Sequence, residues 1–312
     1  ENPPARVTQV HRNSLHVLGE GIDMTVPVTG DVTVGDWVLL DQTSVLRVLD
    51  CKSLIKRRAA GHDRSTQLIA ANLDTAFMVT SCNADFSVAR LERYIALAFE
   101  ADIDPVILLT KKDLCDDLDH YIEQAKSISD HVPVLAVDAT SDEPVELLKD
   151  WCKVGQTIAF LGSSGVGKST LVNALAGEGS AETKDIREAD AKGRHTTTHR
   201  HLHIMPNGCA VLDTPGMREL QLTDAASGVA EVFADIFALT TQCKFNDCAH
   251  VTEPGCAVRK ALETGEIDQA RYERWDKLNT EEQFNSTSLS ERRINDKAFH
   301  KRIKQIQKRN KK

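Results

Sequence analysis

The stretch Gly162-Ser163-Ser164-Gly165-Val166-Gly167-Lys168-Ser169 limits what this chain can fold into more than any other. It meets the phosphate-binding pattern G-x-x-x-x-G-K-[ST] at every fixed position. Glycines let the backbone curl until successive N–H groups point inward at phosphate oxygens, and the N-terminus of a following helix adds positive potential there. The flanks agree: Thr157 to Leu161 is a short apolar run suited to a buried strand, and Thr170 to Ala176 has helical spacing. Residues 162–170 are therefore expected to wrap a nucleotide, with Lys168 on the β- and γ-phosphates and the Ser169 hydroxyl on Mg²⁺.

A chain of 312 residues, at about 150 per domain, predicts two or three domains. Charged residues at 27% and apolar ones at 41% describe an ordinary soluble protein rather than a disordered or membrane one. No run approaches the roughly 20 apolar residues of a spanning helix, and the expectation is a cytoplasmic protein with no membrane partner. The net charge of −8 argues against uniform coating of nucleic acid. Yet Ser290 to Lys312 carries ten Lys or Arg against two acids, which reads either as a solvated helix face or as an RNA phosphate contact. Eight cysteines in a cytosolic chain of this length do not make a disulfide framework. Cys51, Cys82, Cys115, Cys152 and Cys209 are scattered and expected to be buried thiols.

Residues 6–50 alternate apolar and polar side chains in five short runs: Arg6 to His11, Ser14 to Leu18, Met24 to Val28, Trp37 to Leu40 and Val45 to Leu49. Five strands in so few residues predict a small barrel, OB-type first, with an SH3-like barrel reading much the same. Ile55 to Arg64, polar and basic, reads as a linker. From Leu73 the pattern becomes strand then amphipathic helix, repeated: strands at Thr75 to Thr80, Pro105 to Thr110 and Pro133 to Val137, and helices at Val88 to Glu100, Leu118 to Ile128 and Val145 to Trp151. Such alternation predicts a mostly parallel sheet covered by helices, with ligands at the carboxyl ends of the strands.

Two further loops fall at such ends. Thr110-Lys111-Lys112-Asp113 is similar to the [NT]-K-x-D guanine motif of GTPases. A carboxylate at Asp113 accepts from guanine N1–H and the exocyclic amine, a donor pair that adenine lacks, while the Lys111 stem packs on the base. Asp213-Thr214-Pro215-Gly216 resembles the D-x-x-G motif, in which the aspartate holds Mg²⁺ through a water and the glycine N–H senses the γ-phosphate. Cys243, Cys248, His250 and Cys256 read C-x4-C-x-H-x5-C, three thiolates and an imidazole that make a closed, structural Zn²⁺ set. His199, His201 and His203 alternate along an expected strand from His201 to Met205, as one solvent-facing side would.

In ordinary GTPases the phosphate loop precedes the guanine motif, whereas here Asp113 precedes Gly162. The order of the strands is permuted. Together with the segment Gly193-Arg194-His195-Thr196-Thr197 and the cysteine spacing, GSSGVGKS, TKKD and DTPG resemble the ribosome small-subunit-dependent GTPase A family over essentially the whole chain. The resemblance implies an OB-type β-barrel, a circularly permuted α/β P-loop GTPase domain and a C-terminal α-helical zinc-binding domain, taken as residues 1–60, 61–228 and 229–312. It further implies GTP/GDP, Mg²⁺ and one structural Zn²⁺ as cofactors, a monomer, and late maturation of the small (30S) ribosomal subunit through its 16S rRNA. By the same resemblance either Thr196 or Thr197 ligates Mg²⁺, and His195 orients the attacking water, since the residue after D-x-x-G is Met217 and not glutamine. Two other functions compete: an RNA-binding assembly scaffold with a structural, slowly turned-over GTP, and an ATP-dependent kinase or ATPase, against which TKKD speaks.

Overall fold

The computed structural model describes residues 2–58, 66–177, 200–213 and 225–286. Strands β1 (Pro4–Val10), β2 (Ser14–Gly19), β3 (Ile22–Pro27), β4 (Trp37–Asp41) and β5 (Ser44–Val48) follow the five alternating runs. Their inward residues Ala5, Val7, Leu15, Val17, Val26, Val38 and Leu40 form a core of their own. The strands pair antiparallel in the order β3-β2-β1-β4-β5, and β3 and β5 approach one another without sharing a ladder.

The stretch expected to be a linker is in part a hairpin. Strand β6 (Leu54–Arg58) pairs antiparallel with β7 (Thr66–Ala71). Ile55 is buried, the Ser53 hydroxyl donates to the Leu73 carbonyl at 2.7 Å, and the Lys52 N–H donates to Asn72 Oδ1 at 3.1 Å. The run of cations after Ile55 hid this strand, because its partner lies beyond the loop and local composition does not reveal it.

The central sheet runs β10 (Val134–Val137), β9 (Asp104–Thr110), β8 (Thr75–Ser81), β11 (Thr157–Leu161), β13 (Ala210–Asp213), all parallel, and then β12 (His201–Ile204) antiparallel. Strand β8 is buried along its whole length, and its alternation divides two cores. Ala76 and Met78 face helix α1 (Val88–Glu100), through Leu91 and Ile95, and α5 (Ala226–Val232), through Val229 and Val232. Phe77 and Val79 face the other way, toward Leu148 and the helix after the phosphate loop, α4 (Lys168–Ala176). Phe77 stacks on Phe160 there at 5.3 Å. Helix α2 (Leu118–Lys126) lies on the α1 side. Helix α3 (Glu143–Leu147) starts two residues earlier than its apolar spacing suggests, because Pro144 suits the first turn.

The N-terminal strands are not a separate appendage. Gln9 pairs with His201, so β1 continues the central sheet past β12. Arg6 Nη2 donates to the Asn72 carbonyl and to Thr157 Oγ1, both at 3.1 Å. This placement overturns the expectation for the histidines: β12 lies between β13 and β1, so His203 is buried at 4% exposure, and its ring lies 4.0 Å from that of half-buried His201. His199 lies outside the described residues. Cys51 and Cys115 are likewise only half-buried, whereas Cys82, Cys152 and Cys209 are buried as expected.

Helices α6 (Ala234–Thr240), α7 (Ala257–Thr264) and α8 (Gln269–Ser286) complete the described chain. Helix α8 buries Trp275 and Leu278 in the same core as α1. It is also held to α1 by charge: Arg274 Nε donates to both carboxylate oxygens of fully buried Glu92 at 2.9 and 3.0 Å, and Arg93 makes a bidentate pair with Glu281. No helix among the described residues is long and apolar enough to cross a membrane.

Candidate functional site

Because β9, β8, β11 and β13 run parallel and in register, the loops that leave their carboxyl ends share one edge of the sheet. Thr110 to Asp113 leaves β9, residues 162–169 leave β11, and Asp213 is the last residue of β13. The topology thus brings three separate stretches of sequence to one place. Thr214, Pro215 and Gly216 lie outside the described residues, as do His195, Thr196 and Thr197, so the structure does not place them.

The phosphate loop is fixed from behind. Gly162 sits so close to β8 that a Cβ there would meet the Val79 carbonyl oxygen at 2.1 Å, with φ at +155° besides. Only glycine allows that approach. Val166 is buried, while Ser164, Gly165 and Thr170 are exposed and Ser163, Gly167, Lys168 and Ser169 half-buried. Lys168 opens α4, and its ammonium folds back on the loop, donating to the Gly162 carbonyl at 2.9 Å and to the Ser163 carbonyl. A bound polyphosphate would draw that ammonium outward, since charged oxygens outcompete carbonyls for it.

The loop after β9 meets the phosphate loop directly. Thr110 is fully buried, and its hydroxyl donates to the Val166 carbonyl at 2.6 Å, with the Thr80 carbonyl 3.3 Å away. Its side chain therefore grips the neighbouring backbone instead of facing solvent. Lys111 adopts a left-handed conformation, φ +58°, and begins a single 3₁₀ turn, Lys112–Leu114, that leaves Asp113 exposed.

A fourth segment at this edge carries no recognisable motif in the sequence. Asp138-Ala139-Thr140 follows β10, and Ala139 Cβ and Thr110 Cγ2 would be the nearest neighbours of a Cβ on Gly167, at 3.7 and 3.8 Å. The Asp138 carboxylate accepts from Thr140 N–H at 2.8 Å and its hydroxyl at 2.7 Å, which shapes the turn. Glu143 Oε2 accepts from the Asp138 N–H at 3.1 Å, and Oε1 meets Lys112 Nζ at 2.5 Å. That lysine hydrogen bond holds the Glu143 carboxyl below its ordinary value. The turn and the TKKD loop are thus tied together through Glu143. The available signal is positional: the loop leaves the carboxyl end of another strand of the same parallel sheet.

Away from this edge, Cys243, Cys248, His250 and Cys256 come together with one ligand atom each, all within 4.8 Å of one another. Cys243 Sγ lies 3.6 Å from His250 Nδ1 and 3.9 Å from Cys256 Sγ, and His250 Nδ1 lies 3.4 Å from Cys256 Sγ. A tetrahedral ion about 2.3 Å from each sulfur needs neighbouring donors roughly 3.5 to 3.8 Å apart, so the four residues could hold a metal ion. Burial pushes the His250 imidazole below its ordinary value, toward the neutral form that ligates metal. The Glu253 carboxylate caps the turn between His250 and Cys256 by accepting from the N–H groups of Ala249, Val251 and Thr252. Trp275 of α8 lies 5.7 Å from the His250 ring, so the cluster rests against the helix that is clamped to α1.

Residues 48–223 match the family model described as RsgA GTPase. A small ribosomal subunit biogenesis GTPase RsgA 2 from Vibrio parahaemolyticus is 48% identical over 299 residues, covering 96% of this chain and 80% of that protein. A small ribosomal subunit biogenesis GTPase RsgA from Mesorhizobium japonicum is 50% identical over 293 residues, covering 91% and 84%. Of solved structures, YjeQ from Thermotoga maritima superposes with a TM-score of 0.67 at 28% identity, over 89% of this chain and 97% of that one. YloQ, described as a circularly permuted GTPase, shares the fold with a TM-score of 0.62 at 23% identity, over 92% and 97%.

Proposed function

Since this chain belongs to the RsgA GTPase family and is a GTP-hydrolysing enzyme, we propose that it binds GTP across the shared edge of the permuted sheet and acts in maturation of the small ribosomal subunit. The observation that carries the reading is the 2.6 Å bond from Thr110 to Val166, which fixes a guanine-type loop against a phosphate loop 56 residues later in the chain. In this reading Asp113 accepts from the guanine edge, Lys111 packs on the base, and the Ala139 turn closes the base side. Thr110 holds the two loops in register. Backbone N–H groups of residues 162–170 and the Lys168 ammonium take the phosphates, and Gly216 senses the γ-phosphate.

Ser169 and Asp213, with Thr196 or Thr197, would hold Mg²⁺, which would supply positive charge against the β- and γ-phosphates. His195 orients the attacking water: an imidazole accepts from water near neutral pH, and orientation suffices for a loose phosphoryl transition state. Zinc in the cysteine–histidine set is structural, because four protein ligands leave no position for a reacting water.

The antiparallel order β3-β2-β1-β4-β5, with its outer strands close, supports an OB-type barrel over residues 1–60, joined to the GTPase domain of residues 61–228 and the zinc module of residues 229–312. The 30S subunit and its 16S rRNA are the partners, met electrostatically by the barrel and by the basic residues 290–312, while the protein itself stays monomeric in the cytoplasm. The test is phosphate release under multiple turnover from GTP and from ATP, with and without purified small subunits. Slow GTP turnover that the subunits accelerate is expected. Turnover of ATP equal to that of GTP refutes the site, and no acceleration by subunits refutes the role.

A further inference from the structure

Strand β8 ends at Ser81 and turns into α1 through a short ordered loop at the back of the phosphate loop. The turn is built by Asn83, whose Oδ1 accepts from the Ser81 hydroxyl and from the Asp85 N–H, both at 2.9 Å. Asp85, set by that turn, takes Arg90: Nη1 lies 3.0 and 3.1 Å from the two carboxylate oxygens and 3.3 Å from the Asp85 carbonyl. The same Nη1 donates to Ser163 Oγ, the first side chain of the phosphate loop, 73 residues further on. Ser163 also offers its carbonyl to the Lys168 ammonium. One continuous chain of contacts therefore runs from the end of β8, through Asp85, Arg90 and Ser163, to the lysine expected to meet phosphate.

Two other groups hold the loop, and neither does this. The Val79 carbonyl abuts Gly162 at its start, and Thr110 binds the Val166 carbonyl near its end. Between them Ser163 is held by Arg90. The Arg90 and Asp85 side chains are 37% and 34% exposed, so the pair itself adds little to the stability of the fold. Its geometry, with one guanidinium nitrogen between a carboxylate and a hydroxyl, bears on the shape of the loop.

We propose that Arg90 is a positioning residue for nucleotide binding, acting through Ser163 to keep the phosphate loop in its binding shape before nucleotide arrives. The inference rests on the reading of residues 162–170 as the nucleotide site. A loop ordered in advance binds without the entropic cost of ordering it at that moment. Because the loop holds phosphates alike in the ground state and the transition state, losing Arg90 raises KM and spares kcat.

The experiment compares the full-length protein with Arg90→Ala, Ser163→Ala and the double variant, reading KM and kcat for GTP with Mg²⁺, affinity for GDP, and the melting temperature. Each single change is expected to raise KM and weaken GDP binding about tenfold, the size of one charge-assisted hydrogen bond. The double variant is expected to match the singles, because both remove the same contact. Asp85→Asn, which leaves the guanidinium in place but less firmly held, is expected to raise KM by a smaller factor. An unchanged KM in Arg90→Ala, a double variant showing the product of the two losses, or a loss that follows a lowered melting temperature overturns the assignment. If the unsubstituted protein itself fails to bind GTP, the site reading fails, which separates the two cases.

Discussion

Gly228→Ala in α5 sets two known effects against each other, and their sizes decide the sign. Alanine is the better helix former by about 1 kcal/mol, and Gly228 is not among the glycines with positive φ, so the backbone accepts a side chain. The new Cβ, however, would lie 1.9 Å from the Ala96 carbonyl oxygen, 2.9 Å from its carbon and 3.0 Å from the Glu100 nitrogen, all backbone atoms of α1. No rotamer relieves that overlap, so α5 must retreat by about 1 Å or more. A gap of that size forfeits a quarter to a half of the dispersion attraction at the contact, around Val229 and Val232, which are only 3% and 2% exposed. The retreat also strains the Glu100 carboxylate, which accepts from the Ser227 hydroxyl at 2.7 Å and the Gly228 N–H at 3.1 Å. Overpacking of this kind costs about 1–3 kcal/mol and the lost hydrogen bonding about 1 more, so the expected net loss is about 2 kcal/mol. At 2–4 °C per kcal/mol for a domain of this size, the midpoint falls by about 4–8 °C. A thermal scan alongside Ser227→Ala, expected to cost about 1 kcal/mol or less, measures it. A Gly228→Ala protein as stable as the parent refutes the close helix crossing.

Asp113→Asn is expected to weaken GTP binding severely and admit xanthosine nucleotides, because the amide donates to the xanthine carbonyl; competition binding reads both. Thr110→Val keeps the volume but strips the hydroxyl from the Val166 carbonyl, so a stability loss of about 1–3 kcal/mol with weaker nucleotide binding is expected, while Thr110→Ser keeps both near normal in the same melts and titrations. Cys256→Ala is expected to abolish stoichiometric zinc and loosen the region from α6 onward while leaving GDP affinity nearly intact, as metal analysis and hydrogen exchange would show. His195→Ala is expected to retain GTP and subunit binding yet lose most subunit-stimulated turnover, and full stimulation of that protein in a phosphate-release assay would return water positioning to the partner.

The parts of this site that could be read from sequence are those whose letters are dictated by close backbone approach or by ligand chemistry. In the proposed site Gly162, Lys168 and Asp113 belong to that class, and so do the three cysteines and His250, whose ligand atoms gather where they could hold one ion. Strands and helices of the central sheet were legible for a similar reason, the switch between a period of two and one of 3.6 residues. What sequence did not reveal depends on partners distant in the chain. The β6–β7 pairing, the burial of His203 between β13 and β1, the Ala139 turn and the Arg90 contact all arise from neighbours that only the folded topology supplies. Arg90 in particular reads locally as an ordinary charged position on an amphipathic helix.

The groups that hold the phosphate loop, Val79, Arg90 and Thr110, all precede it in the chain, Arg90 by 73 residues from Ser163 and Thr110 by 56 from Val166. During synthesis this order has a cost in time. Strand β8 can pair with β9 as soon as both emerge, but its other edge waits for β11, and every residue of β8 is buried in the finished fold. At about 5–20 residues per second, the 80 residues between the ends of β8 and β11 take about 4–16 s to appear. Through that interval the nascent chain carries an apolar strand with one open edge, the kind of surface that recruits other chains. In the proposed site nucleotide would not shorten the wait, because the half made first would hold the base side and nothing yet to grasp the phosphates.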